Sequence, residues 1–200
     1  MNINKLRKRL LLSDKLLIVL TILLLGVFRP DIVLIVSYFI LIVYLLITKR
    51  KLLLFHLAIS SFLSLLWLLI SYQEYNYNQD FLIILGFNTF PFLAFSLGLF
   101  ALYLIYSHYE YKLKNKSYLR KLLLIMLIYF PFLIIVETIA YHLFNIQNIA
   151  SEMYAGLPLC NCLHAQRWMQ ISYFLMGPFY FTILYLSKIN NVYLEKILKK

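Results

Sequence analysis

The chain has 200 residues, 63% of them hydrophobic and 14% charged, whereas a soluble domain carries about 25% charged residues and could not hide so much apolar surface. The formal net charge is +11, but the basic residues flank long apolar runs, so they read as insertion signals with some attraction to anionic headgroups, not as a nucleic-acid footprint. Spans of roughly 20 residues leave room only for short loops, which predicts one integral membrane domain over residues 1–200 and no separate soluble domain.

The first expected span, about 12–28, follows Lys5, Arg7, Lys8 and Arg9 and precedes Arg29-Pro30-Asp31. Its end, Leu-Gly-Val-Phe-Arg-Pro, lacks a small-x-small cleavage pattern, so a retained span is predicted in place of a signal peptide. The second, about 32–48, ends at Lys49-Arg50-Lys51, and the third, about 52–72, runs into the Lys-free loop QEYNYNQD. The fourth, about 81–106, leads into SHYEYKLKNKSYLRK; the fifth covers about 122–145, and the sixth, about 168–187, precedes a basic tail.

Of the 19 Lys and Arg residues, all but Arg29 and Arg167 fall at the two termini, counting Lys15 at the start of the first span, or in the loops that share their side. The positive-inside rule then places both termini in the cytoplasm and the loops at Arg29, 73–80 and 146–167 outside. The expected fold is all-α: a polytopic six-helix bundle in the cell membrane, since only helices satisfy the backbone of such runs in hydrocarbon. Tyr72, Tyr75, Tyr77, Tyr106, Tyr109, Tyr111 and Trp168 cluster at span ends, as amphipathic rings do at the headgroup layer. Pro91, Pro131 and Pro178 fall inside expected helices and would bend them. Five glycines argue against close helix packing of the GxxxG kind.

Glu137 is the one acid well inside an expected span, a functional-site signal because such a group costs a few kcal/mol unless paired or hydrated. It lies roughly 12 Å, and Asn88 roughly 10 Å, from the outer ends of their spans, so the two can share a layer of the bundle. Tyr141 follows Glu137 on one helix face, whereas His142 is turned away. His56 and His108 fall toward the opposite side, as interfacial histidines.

The loop GLPLCNCLHAQRW, from Gly156 to Trp168, concentrates the reactive groups. Cys160, Cys162 and His164 alternate, and thiolate with imidazole suits zinc or copper, although the spacing is not that of a standard zinc site and lacks the C-x-x-C-H order of haem attachment. The same cysteines can pair as a redox-active disulfide in an oxidising compartment, or simply be buried small residues. A further reading takes Glu137, His142 and Arg167 as catalytic: Glu137 as general acid or base toward a lipid or isoprenoid, Arg167 holding its phosphate or carboxylate. These readings define a membrane-embedded enzyme with an outer-face site. The alternatives are a non-catalytic accessory or assembly subunit, or a small transporter acting as a homo-oligomer. Templates such as HExxH, GxSxG or a Gly-rich phosphate loop are absent from the sequence.

Overall fold

A computed structural model describes residues 29–110, 113 and 115–187. The expected first span and the basic tail lie outside the described residues. Among these, five helices are long and apolar enough to cross a membrane: α1 (Pro30–Ile47), α2 (Lys51–Ser71), α3 (Thr89–Glu110), α4 (Tyr118–Thr138) and α5 (Arg167–Leu186).

The turn between α1 and α2 follows from the backbone needs of a helix C-terminus. Lys49 takes a positive φ of 54°, and Arg50 N–H donates to the Leu45 carbonyl while Lys49 N–H donates to that of Leu46. This is the double bond pattern that satisfies the last carbonyls of a helix. Lys49 and Arg50 therefore sit in the three-residue reversal between the helices, and Lys51 opens α2. Inside α2 the buried hydroxyls of Ser60, Ser64 and Ser71 donate to carbonyls three or four residues back, which lets polar side chains sit in an apolar bundle.

The expected fourth span needs correction at its start. Residues Ile83–Ile84 and Phe87–Asn88 form a small antiparallel hairpin, with Leu85 and Gly86 at φ 52° and 82°, the geometry of a two-residue hairpin turn. The helix begins at Thr89, where the Asn88 side chain accepts the Phe90 N–H at 3.0 Å as a cap. Asn88 is thus at the helix end, not at depth. Pro91 falls in the first turn of α3, where its missing N–H has no intrahelical partner to lose. Pro131 and Pro178 do lie inside α4 and α5.

The core is packed from Leu57, Leu99, Leu102, Tyr106, Ile125, Tyr180, Phe181 and Leu184. Outward faces stay apolar: Phe39, Ile47, Ile70, Leu127 and Leu175 are 58–75% exposed, as suits helices whose outer solvent is hydrocarbon. Helices are also tied by hydroxyls, with Tyr38 to Ser61 (2.7 Å) between α1 and α2, and Tyr118 to Thr182 (2.7 Å) between α4 and α5. His56 departs from the interfacial expectation. It is fully buried, stacked on Tyr103 at 3.7 Å between centroids, and neither ring nitrogen has a hydrogen-bond partner among the described residues. His108 is exposed, with Nδ1 2.8 Å from the Leu104 carbonyl.

At one end of the bundle the connections fold back over the helices. The segments around Tyr77 and Asn148 pair through a β-bridge, reinforced by Asn78 N–H to the Gln147 carbonyl (2.9 Å) and Gln147 N–H to the Asn78 side chain (3.0 Å). Asp31, buried in the first turn of α1, binds Arg29 through both carboxylate oxygens at 3.1 and 3.0 Å and accepts the Leu82 N–H at 3.2 Å. It therefore pins the hairpin to α1. Asp31→Ala should speed amide exchange across residues 81–88 by at least ~10-fold, as local openings become cheaper, while the centres of α2 to α5 stay protected. Unchanged exchange at Leu82 would show that the hairpin is held by other contacts.

Candidate functional site

Beneath this cover, between α3 and α4, lies a cavity of about 140 Å³. Helical periodicity builds its two long walls. From α3 come Pro91, Ala94, Phe95 and Gly98, spaced to share one face, and from α4 come Tyr129, Phe132, Leu133, Val136 and Glu137, with Ala140 from the π-helical turn Ile139–Leu143 that follows. Small side chains at facing positions leave the gap open. A Cβ placed on Gly98 would meet nothing within 4 Å. Tyr173 of α5 forms the floor, while Tyr75, Tyr77, Ile146, Asn148, Leu163, His164 and Ala165 close the loop end.

Glu137 is the one acid in this lining. It is half-buried, and its carboxyl makes no hydrogen bond or ion pair among the described residues. Tyr75, Tyr77, Tyr129 and Tyr173 line the same cavity, so four phenol groups share it with one carboxyl. Three of these rings are fixed by hydrogen bonds. Trp67 Nε1 donates to the Tyr75 oxygen at 2.6 Å, the Tyr75 and Tyr173 hydroxyls are 2.7 Å apart, and Tyr129 donates to the Tyr173 carbonyl at 2.6 Å. Burial pushes the hydroxyls of Tyr75 and Tyr77, both outside the spans, well above the ordinary range of a phenol, so they remain neutral donors at any physiological pH.

The other expected site residues are distributed differently. Tyr141 shares the cavity with Glu137, as the four-residue spacing predicts, and its ring stacks on His164 with centroids 5.1 Å apart. His142 is exposed and outside the lining; its Nε2 donates to the Cys160 carbonyl at 2.7 Å. Arg167 is exposed at the first turn of α5, also outside the lining. Glu137, His142 and Arg167 therefore do not meet around one point.

Cys160 and Cys162 are joined in a disulfide. Both nitrogens of His164 face backbone carbonyls, Nδ1 that of Tyr154 at 2.8 Å and Nε2 that of Asn161 at 3.2 Å. Among the described residues no three His, Cys, Asp or Glu side chains are grouped to hold a metal ion. The zinc or copper set Cys160, Cys162 and His164 is accordingly not assembled in this form of the chain, because each sulfur is bonded to the other. Asn88, expected beside Glu137, instead caps α3.

Residues that sequence reasoning passed over are Tyr75, Tyr77, Asn148 and Tyr173. The tyrosines near span ends read as headgroup anchors, and a loop that folds inward leaves no periodic trace. The small-residue face Pro91, Ala94, Gly98 was detectable from its helical spacing. No family model matches this chain, and no curated protein or solved structure matches it either.

Proposed function

We propose that this chain is a membrane-embedded enzyme acting on a lipid or isoprenoid, with Glu137 as the general acid or base. The observation that carries the reading is the Glu137 carboxyl, with no protein partner of its own, facing a cavity lined mainly by apolar and phenolic side chains, with Asn148 and His164 at its loop end. An apolar cavity of ~150 Å³ takes a benzene-sized guest, so this one suits the reacting end of a substrate and not a whole lipid. The remaining chain would pass Val136, which is 44% exposed on the outer face of α4, into the bilayer. Proton transfer between Glu137 and the substrate's polar end, with Tyr77 or Tyr141 donating a hydrogen bond, is the step this geometry favours. Arg167, outside the cavity, is free to meet an anionic headgroup.

In this reading the bundle has six spans in the cell membrane, with both termini cytoplasmic and the Cys160–Cys162 loop outside. The disulfide supports that side, because such bonds persist in oxidising compartments. Elsewhere in the bundle the buried Leu102, Tyr106, Ile125, Phe181 and Leu184 leave a gap of only about 10 Å³, which favours a one-sided site over a transport path. A second copy of the chain would be needed for transport.

Glu137→Gln keeps the size of the side chain and removes its acid–base chemistry. The lipid species that change when cells produce the natural chain should fall by ~10²-fold or more in cells producing the variant, the usual share of a general acid or base, with equal protein in the membrane. A lipid profile that is the same for both chains would sink the reading.

A further inference from the structure

We propose that the Cys160–Cys162 disulfide is a thiol-exchange site for an external dithiol, entered at Cys160, with Cys162 as the buried leaving sulfur. The proposal does not depend on the role of Glu137. Its first support is an asymmetry of access. Cys160 is partly exposed, whereas Cys162 has 0% exposure and sits in the core cluster. An incoming thiolate needs a direct approach to the sulfur it attacks, and Cys162, with no exposed surface, offers none.

The second support is the environment of each partner. The Cys160 carbonyl is held by His142 Nε2 at 2.7 Å, which fixes the partly exposed cysteine against the π-helical turn that follows α4. The Cys162 sulfur lies 3.8 Å from the Thr138 hydroxyl oxygen, and that hydroxyl also lies 2.6 Å from the Ile134 carbonyl, to which it donates. With its hydrogen committed to Ile134, the Thr138 oxygen can accept an S–H bond. A buried Cys162 thiol therefore has a ready partner.

The third support is the loop backbone. Leu157 N–H donates to the Cys162 carbonyl at 2.8 Å, and Asn161 N–H donates back to the Leu157 carbonyl at 2.8 Å. Asn161 and Leu163 have φ of 44° and 54°, a left-handed conformation that a leucine rarely adopts. The loop is thus held in a constrained form on both sides of Cys162, and opening the disulfide gives that constraint a way to relax. Leu163, His164 and Ala165, the residues that follow, wall the cavity.

The exchange balances without any further reagent. A thiolate of the dithiol bonds to the Cys160 sulfur, the Cys160–Cys162 bond breaks, and its electron pair leaves on Cys162, which takes up a proton. The second thiolate of the reductant then attacks its own sulfur in the mixed disulfide, releasing Cys160, which is protonated in turn. Two electrons and two protons pass to the chain, and the dithiol becomes a disulfide.

The test uses the full chain purified in mild detergent. As isolated, intact mass after alkylation under denaturing conditions should show no added groups, and native treatment with dithiothreitol should yield two. During brief native alkylation of the reduced natural chain, peptide mapping should find Cys160 labelled at least ~10-fold faster than Cys162, since reactivity follows exposure of the thiol. Cys162→Ser, treated with a small linear disulfide such as oxidised 2-mercaptoethanol, should form a mixed disulfide through the Cys160 thiolate with release of one 2-mercaptoethanol, and Cys160→Ser should not. Two free thiols in the isolated protein, reduction only after denaturation, or equal labelling of both cysteines would each overturn the proposal. The mapping on the natural chain keeps the test decisive should either variant fail to fold.

Discussion

Replacing Gly177 with valine is expected to destabilise the bundle more than any other single change considered for its spans. A Cβ at this position would lie 2.5 Å from two ring atoms of Tyr129 and 2.7 Å from a third. The ring cannot simply step aside. Tyr129 is 4% exposed and its hydroxyl is tied to the Tyr173 carbonyl at 2.6 Å, so α4 and α5 would have to separate. Overpacking of this kind costs ~1–3 kcal/mol, and the better helix propensity of a non-glycine residue returns only ~0.5 kcal/mol. The fraction folded during titration with a denaturing detergent should therefore shift clearly toward lower detergent. Combining the change with Tyr129→Leu should recover part of the loss, because the two sites share one contact. Equal stability of Gly177→Val and the natural chain would mean that the ring has room the geometry does not show.

The difference between what was legible in the sequence and what was not has physical causes. Apolar runs bounded by charges mark helices because hydropathy responds to the length of a segment, and α2 and α5 are placed this way. The same measure fails at Phe81-Leu82-Ile83-Ile84-Leu85, which is as apolar as the helix it precedes but folds as a hairpin arm and turn. The turn at Gly86 and the cap at Asn88 were the available signals. Tyrosines divide in a way that composition cannot resolve: Tyr72 and Tyr109 are 44% and 45% exposed, whereas Tyr75 and Tyr106 are 8% and 1%. Whether a ring faces headgroups or a cavity depends on how its loop returns.

The candidate site was legible where it rested on one helix. Glu137 and Tyr141 share a face because four residues make about one turn, and His142 is turned away for the same reason. Contacts between elements were not legible. The pairing of Tyr77 with Asn148, which closes the cavity, depends on two loops seventy residues apart in the chain, and nothing in either segment announces the other. The cysteines stood open between metal, disulfide and plain burial because all three need the same closeness.

Gly98 is the counterpart of Gly177: one faces a void, the other a close contact. Both are helical glycines, so a count of glycines treats them alike. Yet a Cβ on Gly98 meets nothing within 4 Å, and its neighbours Pro91, Ala94 and Phe95 line the same cavity as Glu137. Gly98→Leu should leave stability unchanged or raise it by up to ~1 kcal/mol, since leucine is the better helix former and there is room for it. The same side chain fills much of the space beside Glu137. If the cavity receives the reacting end of a lipid, the lipid changes produced by the natural chain should be lost as completely as in Glu137→Gln, although the two substitutions lie on different helices and only one alters charge. Preserved lipid products in a stable Gly98→Leu protein would move the reaction away from this cavity. A fall in stability as large as that expected for Gly177→Val would show instead that the gap beside α3 is closed in the membrane. A filled cavity with unaltered stability and no product is the one outcome that ties the void between α3 and α4 to the chemistry of Glu137.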